Sequence, residues 1–154
     1  MRAIVQRVAW AKVEVDGAVV GQIDRGLLVY LGAGKGDGDA ERAYVLSKVL
    51  GLRIFENEAG KMDHSLVDIG GSLLVVSQFT LYADLTRGRR PSFDGAMPPD
   101  EAERAYDAFV HEARAQNIMV ATGKFRADMK VSSVNDGPVT IWLDSAKGSA
   151  SMGP

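Results

Sequence analysis

The chain has 154 residues, the length of one domain that can bury a sizeable core. Its 46% hydrophobic and 25% charged residues are those of an ordinary globular protein, and its formal net charge of −2 argues against a general nucleic-acid or DNA binder, whose domain is usually strongly basic. The absence of cysteine excludes a disulfide framework and thiolate metal sites, the two histidines (His64 and His111) are too far apart for helical ligand spacing, and no stretch approaches the roughly 18 apolar residues of a membrane span. No bound metal is expected, and without a leader-like start the chain is expected to be cytoplasmic.

β-branched residues at strand spacing predict strands over residues 2–8 and 11–15, with Ala9 and Trp10 as a bulge between them. Arg7 is a charge among apolar neighbours, a pattern that ordinarily points the side chain into water. Asp16-Gly17 is a two-residue hairpin signal, after which residues 18–23 return as a strand and GLLVYLG, residues 26–32, reads as a buried third. The loop GAGKGDG, residues 32–38, has the glycines of a phosphate cradle. It lacks the GK[ST] ending, however, and Asp37 within it and Asp39 just after it would repel phosphate, so nucleotide binding is not expected there. Residues 39–50 predict a helix capped by Asp39 and stopped by Gly51, with Ala43, Leu46, Val49 and Leu50 along one side. A short strand over 52–55 and turns at 57–62 and 68–71 lead into LLVVSQFTL, residues 73–81.

The first half of that segment is a strand covered on both faces. Ser77, Gln78 and Thr80 then place two hydroxyls and an amide, beside Phe79, where the apolar run predicts more Val or Leu. Buried polar groups need partners, so the segment is either a satisfied structural knot or the floor of a site. The following loop carries Arg87, Arg89 and Arg90 between Asp84 and Asp94; it is a solvated loop or a surface that meets phosphates with bidentate forks. Pro98-Pro99-Asp100 opens a second helix whose Ala102, Ala105, Tyr106, Phe109, Val110 and Ala113 keep a 3.6-residue period, with His111 at its surface. After a strand over 118–121, Phe125 and Met129 line a pocket or fill the core. NDGPVT, residues 135–140, is by itself a hairpin turn between strands over 130–134 and 139–143. SAKGSASMGP, residues 145–154, reads as a flexible tail after a single domain of residues 1–144. The order of elements predicts an α/β domain with a mixed, largely antiparallel sheet and two main helices.

Taken with SQFTL, NDGPVT resembles the second of the two signature motifs of the D-aminoacyl-tRNA deacylases, which hydrolyse D-amino acids off tRNA. The likeness runs from MRAIVQRV through GLLVYLG, KVLGLRIF, GKM, LLVVSQFTLYAD, GRRPSF and FRADMKVS to NDGPVTIWLD. It implies a three-layer α/β/β domain, and a homodimer with the site at the subunit interface. Aminoacyl-tRNA would be the substrate, with no cofactor. Ser77, Gln78, Phe79 and Thr80 would form the catalytic segment, Arg7, Phe125 and Met129 would lie near the substrate, and Arg87, Arg89 and Arg90 would contact tRNA. Gly137-Pro138 would be cis, its carbonyls rejecting L side chains in the partner's site while D-amino acids and glycine pass. The ester would be cleaved by water, helped by the RNA's own 2′-hydroxyl.

The residues agree with such a mechanism. No G-x-S-x-G elbow exists and neither histidine is near a recognisable motif, so Ser77 and Thr80 lack a base to activate them. Backbone N–H groups at Phe79 and Thr80, the Ser77 hydroxyl and the Gln78 amide suit an oxyanion instead. Thr80 stays in the site because the family's threonine has been assigned as a nucleophile. A noncatalytic homodimer that binds tRNA or an amino acid is the alternative. Arg126 departs from the pattern where glycine is common, and Ser133 where a larger apolar residue is frequent.

Overall fold

The structure, a computed structural model, describes residues 1–148. Strand β1, Arg2–Val15, runs unbroken through the expected bulge. Ala3 and Val5 face one core, whereas Val8, Ala11 and Val13 face another. Ala9 is the extra residue that switches the faces, because pairing to the last strand jumps from Val8 to Trp10 across one step of the partner. Asp16 and Gly17, both with positive φ (51° and 79°), make the tight turn into β2, Ala18–Ile23, antiparallel to β1. Strand β3, Gly26–Gly32, then pairs antiparallel with residues 2–8 of β1.

Helix α1, Asp39–Gly51, is capped by Gly38, whose N–H donates to the Glu41 carboxylate (2.8 Å), one residue earlier than the sequence suggests. Strands β4, Phe55–Glu56, and β5, Met62–His64, form a small hairpin. Strand β6, Ser72–Ser77, joins β3 in parallel; helix α2, Pro99–Arg114, crosses over, and β7, Val120–Thr122, adds in parallel to β6. Strand β8, Lys130–Asp144, runs antiparallel to β1 along nearly its whole length. The main sheet is therefore mixed, in the order β2-β1-β3-β6-β7 with β8 beside β1.

The continuous apolar runs in β3 and β6 exist because each strand feeds two cores. Leu27, Val29, Leu31, Leu73 and Val75 pack with Val45 and Val49 of α1 and Phe109 of α2, whereas Leu28, Leu74 and Val76 pack with Val8, Val13 and Ile23. Gly26 lies so close to β6 that a Cβ there would stand 1.8 Å from the Ser72 carbonyl oxygen.

Two expectations are corrected. Residues 135–140 do not reverse the chain: Val8 pairs with Asn135 and Gln6 with Thr140, so residues 136–139 bulge out of one strand opposite Arg7. Both flanks pair with β1, which keeps the chain running in one direction. In LLVVSQFTL the strand is the first half, as expected: β6 stops at Ser77, and Phe79–Tyr82 is a 3₁₀ turn. The expected tail begins with a short helix α3, Ser145–Gly148, and its buried Ser145 accepts a hydrogen bond from the Met1 amino group; residues 149–154 lie outside the described residues. Among the described residues there are three helices, and none is long and apolar enough to cross a membrane.

Candidate active site

The end of β6 generates the site. Gln78 makes the last sheet bond, its N–H to Leu31 O at 2.8 Å, and the 3₁₀ turn then begins with Leu81 N–H bonding to Gln78 O. The preceding Phe79 and Thr80 N–H groups therefore fall outside the turn's own hydrogen bonds. The Gln78 side-chain amide donates to the Thr80 hydroxyl. Phe79, 56% exposed, meets the edge of Phe93 with ring centroids 4.9 Å apart. Phe93 is held there by the paired backbones of Asp84 and Ser92 (2.8 and 3.0 Å), a neck beyond which Arg87, Arg89 and Arg90 are all exposed. The Thr86 N–H, donating to the Asp84 carboxylate, keeps that carboxyl below its ordinary range.

Behind this turn opens a cavity of about 740 Å³ with Ser77, Gln78 and Phe79 along one side. Its walls are mostly apolar and come from Phe93, Met97, Pro98, Tyr106, Phe125 and Met129. Tyr106 donates to Val75 O at 2.7 Å, and burial raises its pKa, so the phenol stays neutral. Phe125 tilts against it, centroids 6.0 Å apart. The GAGKGDG loop is another wall, pinned by Lys35 N–H to Gly95 O and by Met97 N–H to Ala33 O, both 3.0 Å. Lys35, Phe93, Met97, Pro98 and Tyr106 escaped sequence reasoning. Phe93 lay inside GRRPSF, Tyr106 on the apolar stripe of α2, Lys35 in the GAGKGDG loop and Pro98 at the start of α2, but none was singled out as a site residue.

The structure brings together Ser77, Gln78, Phe79, Phe125 and Met129 on the cavity and leaves Thr80 just off it. Arg7, Gly137 and Pro138 lie elsewhere in the chain. Arg7 does not face water: it is 6% exposed, its Nε donating to Asp136 O (2.9 Å) and a guanidinium nitrogen to Ile54 O (2.6 Å), with Glu56 at 4.0 Å. Asn135 accepts from the Val139 N–H (3.0 Å) and donates to the Thr140 hydroxyl (2.9 Å). These bonds clamp the base of the bulge, and its tip, Gly137 and Pro138, is exposed with a cis peptide bond between them. Among the described residues no cluster of three or more His, Cys, Asp or Glu could hold a metal ion. The cavity thus combines an apolar interior with one polar side of amide, hydroxyl and backbone donors, able to orient and polarise a bound carbonyl.

The family model described as D-Tyr-tRNA(Tyr) deacylase matches residues 4–144. A D-aminoacyl-tRNA deacylase of Variovorax paradoxus (strain S110) is 61% identical over 146 residues, covering 95% of this chain and 100% of that protein. Its counterpart from Sorangium cellulosum (strain So ce56) is 57% identical over 148 residues, covering 96% and 99%. A solved structure described as c-Myc DNA Unwinding Element Binding Protein superposes with a TM-score of 0.89 at 41% identity, covering 94% of this chain and 98% of that one.

Proposed function

The chain belongs to the D-Tyr-tRNA(Tyr) deacylase family, and from that premise we propose that it hydrolyses the ester of D-aminoacyl-tRNA, releasing a free D-amino acid and tRNA. The observation that carries this reading is the polar end of β6 opening onto an apolar cavity, with no histidine among the lining residues. Water, assisted by the neighbouring 2′-hydroxyl of the RNA, adds to the ester carbonyl. Negative charge on its oxygen is met by the Phe79 and Thr80 N–H groups, the Ser77 hydroxyl and the Gln78 amide; the bond to the ribose oxygen then breaks and that oxygen takes a proton. Thr80 acts by receiving the Gln78 amide rather than by attacking.

Selection belongs to a second copy of the chain. Gly137 and Pro138 are exposed and braced from below by Arg7 and Asn135, a projection suited to enter a neighbour's cavity. Their carbonyls, set beside the substrate Cα, would exclude an L side chain, whereas a D side chain points away and glycine has none to clash. Support for the homodimer comes from β8, which among the described residues pairs only with β1 and, together with β1, exposes Val134, Trp142 and Trp10. Arg87, Arg89 and Arg90 supply phosphate contacts outside the cavity, Phe125 and Met129 line the substrate's path, and residues 1–144 act as one domain in the cytoplasm, where tRNA is charged. The DNA binding named for the c-Myc element protein belongs to that protein; a concave apolar cavity in a chain of net charge −2 suits the acylated end of an RNA better than a duplex.

The test is incubation of purified protein with D-Tyr-tRNA in the presence of a chelator. Catalytic release of D-tyrosine is expected. Stoichiometric retention of the intact ester would make this a binding module.

A further inference from the structure

The charge on the cavity wall differs in sign from that of the whole molecule. The chain carries a net −2, yet among the described residues the charged side chains lining the cavity are Lys35 and Arg126, with no aspartate or glutamate. The two cations come from unrelated segments, the GAGKGDG loop and the connection before β8. Lys35 is exposed. Arg126 has φ +65°, the left-handed region that costs a residue with a Cβ, and is held by an ion pair to Asp100 at the start of α2. A long cationic side chain in a backbone conformation that favours glycine, at the mouth of an apolar cavity, is an outlier that points to a ligand.

Resting on the deacylase reading above, we propose that Arg126 and Lys35 grip the phosphodiester that joins the acylated terminal nucleoside to the nucleotide before it. The ester cannot reach the polar side of the cavity without bringing that phosphate to its mouth. The Arg126–Asp100 pair is easily exchanged, because Arg126 is 54% and Asp100 82% exposed. A phosphate gives the guanidinium a bidentate anion in place of the carboxylate, and Asp100 sets the threshold for the exchange.

The experiment compares the wild type with Arg126→Gly, Lys35→Ala and Asp100→Asn on D-Tyr-tRNA and on D-tyrosyl-adenosine, which has the ester and the nucleoside but no phosphate. Glycine adopts φ +65° freely, so Arg126→Gly removes the side chain without a folding penalty. On tRNA, it is expected to raise KM about tenfold with kcat unchanged, and to make log KM shallower against log salt by about one unit. Lys35→Ala should do the same more weakly, and Asp100→Asn should lower KM. On D-tyrosyl-adenosine, all four proteins should behave alike. An equal loss on both substrates, or an unchanged KM and salt slope on tRNA, would overturn the proposal. If the wild type hydrolyses neither substrate, the deacylase reading fails by itself. Calorimetric binding of the 3′-terminal trinucleotide of tRNA against adenosine then decides: weakening by Arg126→Gly of the trinucleotide alone supports the grip, and no difference removes it.

Discussion

Arg7 shows how a single side chain can hold a projecting bulge from beneath. Its guanidinium is almost wholly out of water, and two of its donors end on carbonyls of Ile54 and Asp136, so removing it leaves both acceptors short of a partner. Arg7→Met, which keeps much of the bulk, is expected to cost about 2–3 kcal/mol and roughly 4–12 °C in Tm, read by thermal melting; an unchanged melt would show that the bulge holds itself. None of this was legible locally, because the acceptors lie 47 and 129 positions away. At the other end of the site, Gln78 lines the cavity and Thr80 does not. Gln78→Ala should lower kcat about 10²-fold, the usual effect of losing an oxyanion donor, whereas Thr80→Ala should stay within about tenfold of the wild type. A Thr80→Ala variant with no activity and an unchanged melt would restore the nucleophile reading.

Strands β3 and β6 were readable as buried because residues facing opposite cores alternate along them, and a run apolar at every position has no other comfortable setting. Their parallel pairing follows from the crossover, and its closeness makes Gly26 a sensitive point. Gly26→Ala would push a methyl group into the Ser72 carbonyl, backbone against backbone, and is expected to cost about 3 kcal/mol, seen as a lowered urea midpoint. A neutral Gly26→Ala would mean that β3 and β6 can slide apart. The Asn135–Thr140 segment was misread for the opposite reason. Asn, Gly and Pro serve a hairpin and a wide bulge equally well, and only the pairing of both flanks with β1 separates the two. The polar half of LLVVSQFTL was legible as chemistry, though not as the turn that presents it.

At the scale of the whole molecule, titration frames a broad stability plateau. Hydrogen bonds lower the pKa of Glu41 (from the Gly38 N–H), Asp68 (from Ser65) and Asp84 (from Thr86). A carboxylate lowered in the folded state stabilises it above the unfolded value near 4, and that contribution is lost as pH falls through the folded pKa. Burial first, then the Asp37 carboxylate, raises Tyr82, and burial raises Tyr106; their contribution is complete below the unfolded value near 10 and is lost as pH rises beyond it. Tm should therefore hold from about pH 5 to 9 and fall on both sides, with Tyr106→Phe flattening the alkaline limb; an unaltered limb in that variant would contradict the assignment. The fold class was readable from the order of strands and helices, whereas the cavity was not, since its lining is collected from the N-terminus, two loops, α2 and the approach to β8.

The proposed completion of the site by a second copy requires a particle of about twice 16.5 kDa in sedimentation, and a particle of 16.5 kDa would contradict it. Removal of amino acids from tRNA according to their handedness is tested by hydrolysis of matched D-Tyr-tRNA and L-Tyr-tRNA by the wild type and by Pro138→Ala. Loss of the D-ester alone is expected with the wild type, and of both esters with the variant. Equal rates on the two esters with the wild type, or L-ester still refused by Pro138→Ala, would contradict it.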